Sequence, residues 1–315
     1  MKHLILNLAI LISAISLNAN EIAISKSPMN VQQGELNRIT YPSVYMEDMV
    51  VDIWTPNSYD ANSAEKLNVL YMHDGAMVFD AVQAWNKQSW MADSVSQDLM
   101  DAGKVTPFMI VAIHSKPGSR TADFLPQRVV NYYDDSDRAV LKGLLKTPLR
   151  ADKYLKFIVT ELKPYIDTHY NVNIGRENTA IMGSSMGGLI SLYAICEYPT
   201  VFGGAGCVST HLSGWSADVA FVDEKSEFST KLCEYMEDEL PEPNGDNRIY
   251  FDYGNKTLDA YYPPHQKKLD AAMRKMNYTE GENWETLFFD GESHSENSWA
   301  KRLDIPLTFL FGIGI

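Results

Sequence analysis

The sequence predicts an α/β fold with a mostly parallel central sheet and helices on both faces of that sheet. Short apolar runs alternate with helical stretches from residue 48 to residue 290, an order typical of parallel strands joined by crossover helices. The chain has 315 residues, and 45% of them are hydrophobic, which is enough to bury one large core. We find no internal repeat or low-complexity tract, so we expect residues 20–315 to form a single domain.

The individual elements follow from the local hydrophobic patterns. Apolar runs of strand length predict strands at residues 50–54, 69–73, 108–114, 179–182, 204–208, 249–253 and 286–289. Helical spacing predicts helices at residues 91–102, 153–169, 186–197, 262–276 and 297–303.

Two long segments between these elements, 115–150 and 211–246, are predicted to be loop excursions above the sheet. The first contains Pro117, Gly118 and Pro126, and the second ends in an acidic, proline-containing stretch. Loops that leave the carboxyl ends of parallel strands carry the functional site in such folds. We therefore expect these two excursions to form walls of a substrate pocket.

The amino terminus resembles an export signal. Lys2 and His3 precede an apolar run over residues 4–17, and Leu17, Asn18 and Ala19 could form a small-residue cleavage site. A short membrane anchor is the alternative, but the run is shorter than the ~20 apolar residues that span a bilayer. We expect residues 1–19 to be removed, no stable membrane insertion, and a periplasmic or secreted protein.

The net charge of the chain narrows the classes of binding partner. Forty-one acidic against 27 basic residues give a formal charge of −14, which argues against nucleic acid and anionic membranes as partners.

Three cysteines are too few for a disulfide-built scaffold. We expect buried thiols at Cys196 and Cys207, with a bridge from Cys207 to Cys233 left open.

The stretch from Gly183 to Gly187 contains the G-x-S-x-G pattern with Ser185 at its centre. A short apolar strand precedes it, and apolar residues at helical spacing follow it. A strand, a sharp turn and a helix around this pattern are typical of a nucleophile elbow, in which glycines let the two backbones pass closely. The pattern predicts that Ser185 is a nucleophile.

A serine nucleophile needs a base, and in this arrangement the chain order is serine, acid, histidine. Three histidines follow Ser185. His211 comes directly after the next strand, too early for an intervening acid strand, and His265 lies within a predicted amphipathic helix. His294 follows the last predicted strand on a loop, so it is the predicted base.

The residues in and around the elbow resemble those of a known family. The match includes residues 181–193, 198–199 and 201–203, and it extends to residues 70–75, to residues 250–254, and to His294, Trp299 and Arg302. Together these residues resemble the esterase D and enterochelin-esterase-related branch of the α/β hydrolases, a group that also contains feruloyl esterases and mycolyltransferases. The resemblance covers most of residues 45–312 and implies the α/β-hydrolase fold and ester chemistry.

The resemblance also suggests the acid and the oxyanion donors. Related esterases carry their acid after an Asp-x-Gly turn, which corresponds to Asp259 here. Asp252 is the alternative, although its position within the strand favours a structural hydrogen bond. The elbow supplies the Met186 backbone N–H at a helix start, and the resemblance implies the Ala76 N–H as the second donor.

Three residues are candidates for substrate binding. Arg120 belongs to a loop pattern found in many of these esterases; we interpret it as part of the loop framework, with an anchor for an acidic substrate group as the alternative. His211 and Trp215 lie where the sequence departs from the family and are candidates to line the pocket, with a structural role as the alternative for each. His73 and Asp74 lack further ligands at a matching spacing, so we expect no metal and no organic cofactor.

These observations predict an exported serine carboxylic-ester hydrolase that works through an acyl-enzyme. The alternatives are an acyltransferase that uses the same acyl-enzyme, and a non-catalytic binding protein of the same fold. The expected substrate is a small-molecule or carbohydrate-linked ester. The sequence does not indicate an oligomeric state.

Overall fold

The computed structural model describes residues 22–144, 147–214, 226–243 and 247–314. The predicted export signal at residues 1–19 and the candidate pocket residue Trp215 lie outside these ranges. Among the described residues, none of the helices has the length and apolar character needed to cross a membrane.

A nine-stranded sheet forms the centre of the described structure. Its strands are β1 (Ile24–Lys26), β2 (Glu35–Tyr41), β3 (Met49–Thr55), β4 (Asn68–His73), β5 (Phe108–Ile113), β6 (Thr179–Ser184), β7 (Gly204–Val208), β8 (Arg248–Tyr253) and β9 (Trp284–Phe288). They lie in the order β1-β2-β3-β5-β4-β6-β7-β8-β9. The pairs β1–β2, β2–β3 and β3–β5 are antiparallel. The pairs from β5 through β4 to β9 are parallel, as the sequence predicts for most of the sheet.

Helices connect the parallel strands. They are α1 (Ala92–Asp101), α2 (Arg120–Phe124), α3 (Asp135–Leu144), α4 (Ala151–Phe157), α5 (Lys163–His169), α6 (Met186–Glu197), α7 (Phe228–Glu239), α8 (Pro263–Lys275), α9 (Glu296–Ala300) and α10 (Asp304–Phe311). Between α4 and α5 the chain continues as a π-helical turn, so the predicted helix at 153–169 is nearly continuous.

Both faces of the sheet are covered, and strand alternation decides which residue faces which core. In β4, Val69 and Tyr71 belong to one apolar cluster, and Leu70 and Met72 belong to the other. Residues of α4, α6, α7 and α8 complete the first cluster, and residues of α1 and α10 complete the second. Helices therefore lie on both faces, as predicted.

The two predicted excursions contain more regular structure than the sequence indicates. Segment 115–150 contains α2, a 3₁₀ turn at Arg128–Tyr132, and α3, while α7 lies within segment 211–246. The excursions also contact each other. The Tyr132 hydroxyl donates to Asp238, with a distance of 2.8 Å between the oxygens, and Arg128 forms an ion pair with Glu239.

The cysteines carry no disulfide. Cys196, Cys207 and Cys233 are all free and buried, so the bridge from Cys207 to Cys233 that the sequence leaves open is not formed. The expectation of buried thiols at Cys196 and Cys207 is confirmed.

Candidate active site

Ser185 occupies a strained turn between β6 and α6. Its backbone has φ 57° and ψ −121°, a left-handed φ that costs free energy for a residue with a side chain. The Ser185 N–H donates to the Val208 carbonyl at 2.9 Å, which fixes the turn against β7. A Cβ at position 183 would lie 2.9 Å from the Gly187 backbone, so the crossing of strand and helix requires Gly183. This is the geometry of a nucleophile elbow.

His294 and Asp259 come together from two different loops. His294 follows β9, and Asp259 lies in a 3₁₀ turn, Thr257–Tyr261, that follows β8. The His294 Nδ1 and the Asp259 Oδ1 are 2.6 Å apart. The Thr257 hydroxyl also accepts from the His294 backbone N–H at 2.9 Å. The turn Thr257–Tyr261, called the acid turn because it contains Asp259, thus holds both the ring and the backbone of His294.

The Asp259 carboxylate is fully buried, and each of its oxygens has a partner. Its Oδ2 accepts from the Gly254 N–H and from the Ser209 hydroxyl, both at 2.7 Å. A Cβ at Gly254 would lie 2.2 Å from the Glu292 carbonyl, so only glycine fits between the acid turn and the His294 loop. Because hydrogen bonds compensate the lost hydration, the carboxylate can be buried next to an imidazole.

Asp252, the alternative acid, lies in a different network. It forms a buried ion pair with Arg302, whose Nε and Nη2 lie 3.0 and 2.9 Å from the two carboxylate oxygens. It also accepts from the Tyr250 hydroxyl and the Ser209 N–H. With its oxygens held in this way, Asp252 ties β8 to the segment between α9 and α10.

The two predicted oxyanion donors lie in neighbouring segments, one at the start of a helix and one within a short turn. Met186 is the first residue of α6, where backbone N–H groups lack partners within the helix. Ala76 lies in a 3₁₀ turn, Gly75–Met77, directly after β4. A Cβ at Gly187 would lie 3.6 Å from the Asp74 carboxylate, so the turn with Ala76 lies against the start of α6.

Arg120, predicted as a candidate anchor for a substrate acid, pairs with Asp74. Its Nε and Nη2 lie 2.8 and 2.7 Å from the two carboxylate oxygens, and the Ser115 hydroxyl donates to the same carboxylate at 2.6 Å. Burial alone would raise the pKa of Asp74, but Arg120 and the Ser115 hydroxyl hold it below its ordinary value. The Arg120 side chain is therefore paired with the residue that precedes the turn Gly75–Met77.

His211 is also turned into the protein. It is 1% exposed, and its Nδ1 lies 3.0 Å from the Tyr262 hydroxyl. The candidate pocket residue Trp215 lies outside the described residues.

Two residues of the site were not assigned a role from the sequence. Ser209 directly follows β7, and its hydroxyl donates to Asp259 while accepting from Trp299 and Arg302 at 2.9 and 3.1 Å. Tyr262 follows the acid turn, and its ring packs edge-on against His294 with 5.7 Å between the ring centres. The signal for both was their position after a strand at the carboxyl edge of the sheet.

No group of three or more His, Cys, Asp or Glu side chains within the described ranges is arranged to hold a metal ion. The arrangement at Ser185 can support attack by a hydroxyl on a carbonyl carbon, with proton transfer by an imidazole and charge stabilisation by backbone N–H groups.

The chain is similar in sequence to two bacterial proteins. The chain is 26% identical over 157 residues to the uncharacterized protein YbbA of Bacillus subtilis (strain 168), a match that covers 50% of this chain and 54% of that protein. It is 22% identical over 292 residues to the endo-1,4-beta-xylanase/feruloyl esterase of Xylanibacter ruminicola, covering 90% of this chain and 32% of that protein. The chain thus spans about half and about a third of the lengths of these relatives.

Solved structures with the same architecture include esterases. A ferulic acid esterase superposes with a TM-score of 0.62 at 20% identity, covering 89% of this chain and 98% of that chain. The enterobactin esterase FES from Shigella flexneri superposes with a TM-score of 0.63 at 19% identity, covering 90% of this chain and 60% of that chain. At these identities the likeness shows the fold, which is the α/β-hydrolase fold expected from the sequence.

A family model described as putative esterase matches residues 43–308, a range that includes the elbow, the acid turn and the His294 loop. Because this match covers most of the chain, the protein belongs to the putative esterase family.

Proposed function

We propose that the protein is an exported serine ester hydrolase that works through an acyl-enzyme. In this proposal Ser185 is the nucleophile, His294 is the base, and Asp259 orients the base. The observation that carries the proposal is the pair of His294 and Asp259, 2.6 Å apart, on loops that follow β8 and β9. Because β6, β7, β8 and β9 are parallel, these loops leave the same edge of the sheet as the turn with Ser185.

Contacts of Tyr262 also support the proximity of serine and base. Its ring packs against the His294 ring, and its hydroxyl lies 3.0 Å from the Nδ1 of His211, whose backbone N–H donates to the Ser185 carbonyl at 3.1 Å. One buried side chain therefore contacts the proposed base and, through His211, the backbone of the proposed nucleophile.

Acylation follows from these roles. The Ser185 hydroxyl attacks the ester carbonyl carbon while the His294 Nε2 accepts its proton. Asp259 keeps the Nδ1–H of His294 directed at itself and stabilises the imidazolium that forms. The imidazolium then donates its proton to the alcohol oxygen as the bond from carbon to that oxygen breaks, leaving an acyl group on Ser185. Water repeats the sequence and releases the acid.

The carbonyl oxygen carries negative charge in both steps. The N–H groups of Met186 and Ala76 are the proposed donors to this oxygen, and one preorganised donor is typically worth ~3 to 4 kcal/mol in the transition state. The amino terminus of α6 adds a favourable dipole at the same position.

The proposed substrate is a small-molecule or carbohydrate-linked ester. Relatives named as feruloyl esterase, ferulic acid esterase and enterobactin esterase support this class. The two excursions contact each other at Tyr132 and Asp238, and their role as walls of the pocket is part of the proposal. Export through residues 1–19 remains part of the proposal, and amino-terminal sequencing of the native protein should find a start near Asn20.

A panel of ester substrates tests the proposed chemistry. Wild type and Ser185→Ala are assayed with short-chain aryl esters and with aryl acyl esters of sugars. We expect the substitution to lower kcat by on the order of 10⁴-fold or more with an unchanged melting temperature, because the acyl-enzyme path is lost. A phosphonate should label Ser185 alone.

Ser184→Ala is the matched control, because Ser184 is the adjacent serine and is the last residue of β6. It should keep its activity and its labelling. Loss of labelling in this control with retention in Ser185→Ala would overturn the assignment of the nucleophile.

A further inference from the structure

Ser209 lies between the two buried carboxylates that follow or belong to β8. It is fully buried, and its backbone has φ 42°, a left-handed value that strains a residue with a side chain. Its N–H donates to the Asp252 carbonyl at 2.9 Å, which fixes the backbone against β8. Held in this conformation, the Ser209 side chain ends among Asp259, Trp299 and Arg302.

The chemistry of these three partners determines where the proton of the Ser209 hydroxyl points. The Trp299 Nε1 and the Arg302 Nη2 lie 2.9 and 3.1 Å from the Oγ, and both groups can only donate. They use the two acceptor sites of the hydroxyl. The Asp259 Oδ2 lies 2.7 Å from the same Oγ and is an acceptor. The Ser209 hydroxyl therefore donates to Asp259.

Four contacts form a closed ring around the proposed acid and base. The His294 Nδ1 faces the Asp259 Oδ1, and Ser209 donates to the Asp259 Oδ2. Trp299 donates to Ser209, and its ring packs edge-on against the His294 ring with 5.0 Å between the ring centres. The Gly254 N–H also donates to the Asp259 Oδ2. With two donors on Oδ2, the carboxylate cannot turn without losing both bonds, so Oδ1 stays on the imidazole.

The donors behind Ser209 also bring positive charge toward the acid. Arg302 is buried in its ion pair with Asp252, and the same Nη2 donates to the Ser209 Oγ. Hydrogen bonds in series polarise one another in a buried environment. The bond from Ser209 to Asp259 therefore withdraws part of the negative charge of the carboxylate, and this limits how firmly Asp259 holds a proton on His294.

Ionisable groups from several segments face this ring. They are Asp252 and Tyr250 of β8, Tyr262 after the acid turn, Arg302 after α9, and the solvent-accessible ion pair of Glu292 and Lys301 on the His294 loop. Burial raises the pKa of Tyr250 and of Tyr262 well above the ordinary value. Burial alone would lower the pKa of Arg302, but the contact with Asp252 raises it. These three groups keep their protons while the base titrates.

We infer that Ser209 is a positioning residue for the proposed acid: its hydroxyl, held by Arg302 and Trp299, keeps the Asp259 carboxylate on His294 and withdraws part of its charge. The inference rests on the proposed function, because it concerns the pair of Asp259 and His294. Without the hydroxyl, the carboxylate is less well fixed, so turnover slows. Its undiminished charge also holds the imidazolium proton more firmly, so the base is protonated at higher pH.

Ser209→Ala and Ser209→Gly separate the hydroxyl from the strained backbone. Both variants remove the hydroxyl, but only glycine adopts φ 42° without strain, so their melting temperatures should differ. In both, kcat for a short aryl ester should fall by about 3- to 30-fold with little change in KM. The acidic limb of the profile of kcat/KM against pH should move to higher pH by about 0.3 to 1 unit in both.

Ser43→Ala is the matched control, because the Ser43 hydroxyl has partners of the same kind elsewhere in the fold. It donates to the Glu161 carboxylate at 2.5 Å and accepts from the N–H groups of Tyr45 and Met46 at 3.1 and 3.0 Å. This variant should keep the wild-type kcat and the wild-type acidic limb.

An unmoved acidic limb in a folded Ser209 variant would overturn the inference, whatever the value of kcat. A limb displaced to lower pH would also overturn it, because the hydroxyl would then strengthen the hold of the carboxylate on the imidazolium proton. Activity losses that differ between Ser209→Ala and Ser209→Gly and follow their melting temperatures would leave Ser209 with a structural role alone.

Should neither Ser209 variant fold, Trp299→Phe serves in their place, since it removes the Nε1–H and keeps a ring beside His294. The limb should move in the same direction, with a fall in kcat of about 2- to 5-fold. No change in that variant contradicts the inference. A wild type that neither hydrolyses esters nor is labelled at Ser185 refutes the proposed function itself. An active wild type with unchanged Ser209 variants refutes only the role of Ser209.

Discussion

Two buried carboxylates lie after or within β8, and their partners give them different tasks. Asp259 faces His294 with one oxygen and accepts from Gly254 and Ser209 with the other. Asp252 is paired with Arg302 through both of its oxygens. Ser209 connects the two, because its hydroxyl contacts Asp259 and its N–H contacts Asp252. At the scale of single residues, the Asp259 carboxylate is therefore available to the His294 imidazole, whereas the Asp252 carboxylate stabilises the fold.

Replacing each carboxylate should separate activity from stability. Asp259→Asn should lower kcat by on the order of 10⁴-fold, because the imidazole loses its orientation and its tautomer. Asp252→Asn leaves Arg302 buried without its charge partner, and breaking a buried ion pair typically costs about 3 to 5 kcal/mol. Esterase assays and urea unfolding of both variants measure the two effects. A folded Asp252→Asn that is the less active of the two variants would exchange the roles.

Sequence reasoning proposed individual residues where a chemical rule constrained them, and the structure places two of these, His294 and Asp259, in contact. The order of serine, acid and histidine selected His294, and strand alternation with the family resemblance favoured Asp259 over Asp252. Arg120 was interpreted as loop framework, with an acidic substrate group as the alternative partner, because nothing in the sequence pairs it with Asp74, a residue 46 positions earlier. Contacts over such separations depend on how the turns meet in space, and single-residue patterns do not encode this.

At the scale of elements, an ion pair holds the turn that contains Ala76. Asp74 has φ 57° and ψ 48°, a left-handed conformation that few residues other than glycine adopt, and its carboxylate is fixed by Arg120 of α2. Ala76 follows two residues later. The ion pair therefore connects α2 to the turn that carries a proposed donor.

Arg120→Gln should loosen this turn. We expect kcat to fall by about 10- to 100-fold with little change in KM, because a displaced N–H weakens charge stabilisation in the transition state more than substrate binding. Steady-state kinetics on neutral and acidic esters make the measurement. Lys163→Gln, which removes the cation of the partly buried pair with Asp167, should leave kcat unchanged. A rise of KM confined to acidic esters would instead support a direct substrate contact.

The bounds of strands and helices with a strong hydrophobic period were predicted closely, and elements with a weak hydrophobic period were missed. The predicted strands at 204–208 and 249–253 match β7 and β8 to within one residue. The helix α7 was missed because it lies in an acidic stretch near two prolines, although Phe228, Leu232, Tyr235 and Met236 are buried at helical spacing. β1 and β2 extend the antiparallel edge of the sheet, where partly exposed residues give a weak signal.

At the scale of the whole molecule, the parallel part of the sheet brings distant segments to one edge. β6, β7, β8 and β9 are neighbours in the sheet, so the turns after them lie side by side although they span residues 185–294. The alternation of strands and helices predicts this arrangement. What it does not predict is which turns are joined by buried polar groups, because that depends on hydrogen bonds such as those of Ser209 and Tyr262.

One such buried group ties the stability of the molecule to pH. His73, at the end of β4, is 3% exposed, and its Nδ1 lies 2.8 Å from the Tyr154 hydroxyl. Among the described residues its Nε2 has no hydrogen-bond partner. Burial, opposed in part by Asp74, lowers the pKa of His73 to about 3. The folded protein therefore holds this ring neutral at pH values where the unfolded chain would protonate it.

The contribution of the neutral His73 to the free energy of unfolding should be fully present above about pH 6.5 and should decline as the pH falls toward 3. In this pH range only the unfolded chain takes up the proton. Between pH 7 and pH 5 this single group should lower the free energy of unfolding by about 2 kcal/mol. His73→Asn, though less stable at pH 7, should lose about that much less over the same change in urea titrations. The exposed His169→Asn is the control and should retain the wild-type dependence. An equal loss in His73→Asn and wild type would mean that other groups determine the acid sensitivity of the fold.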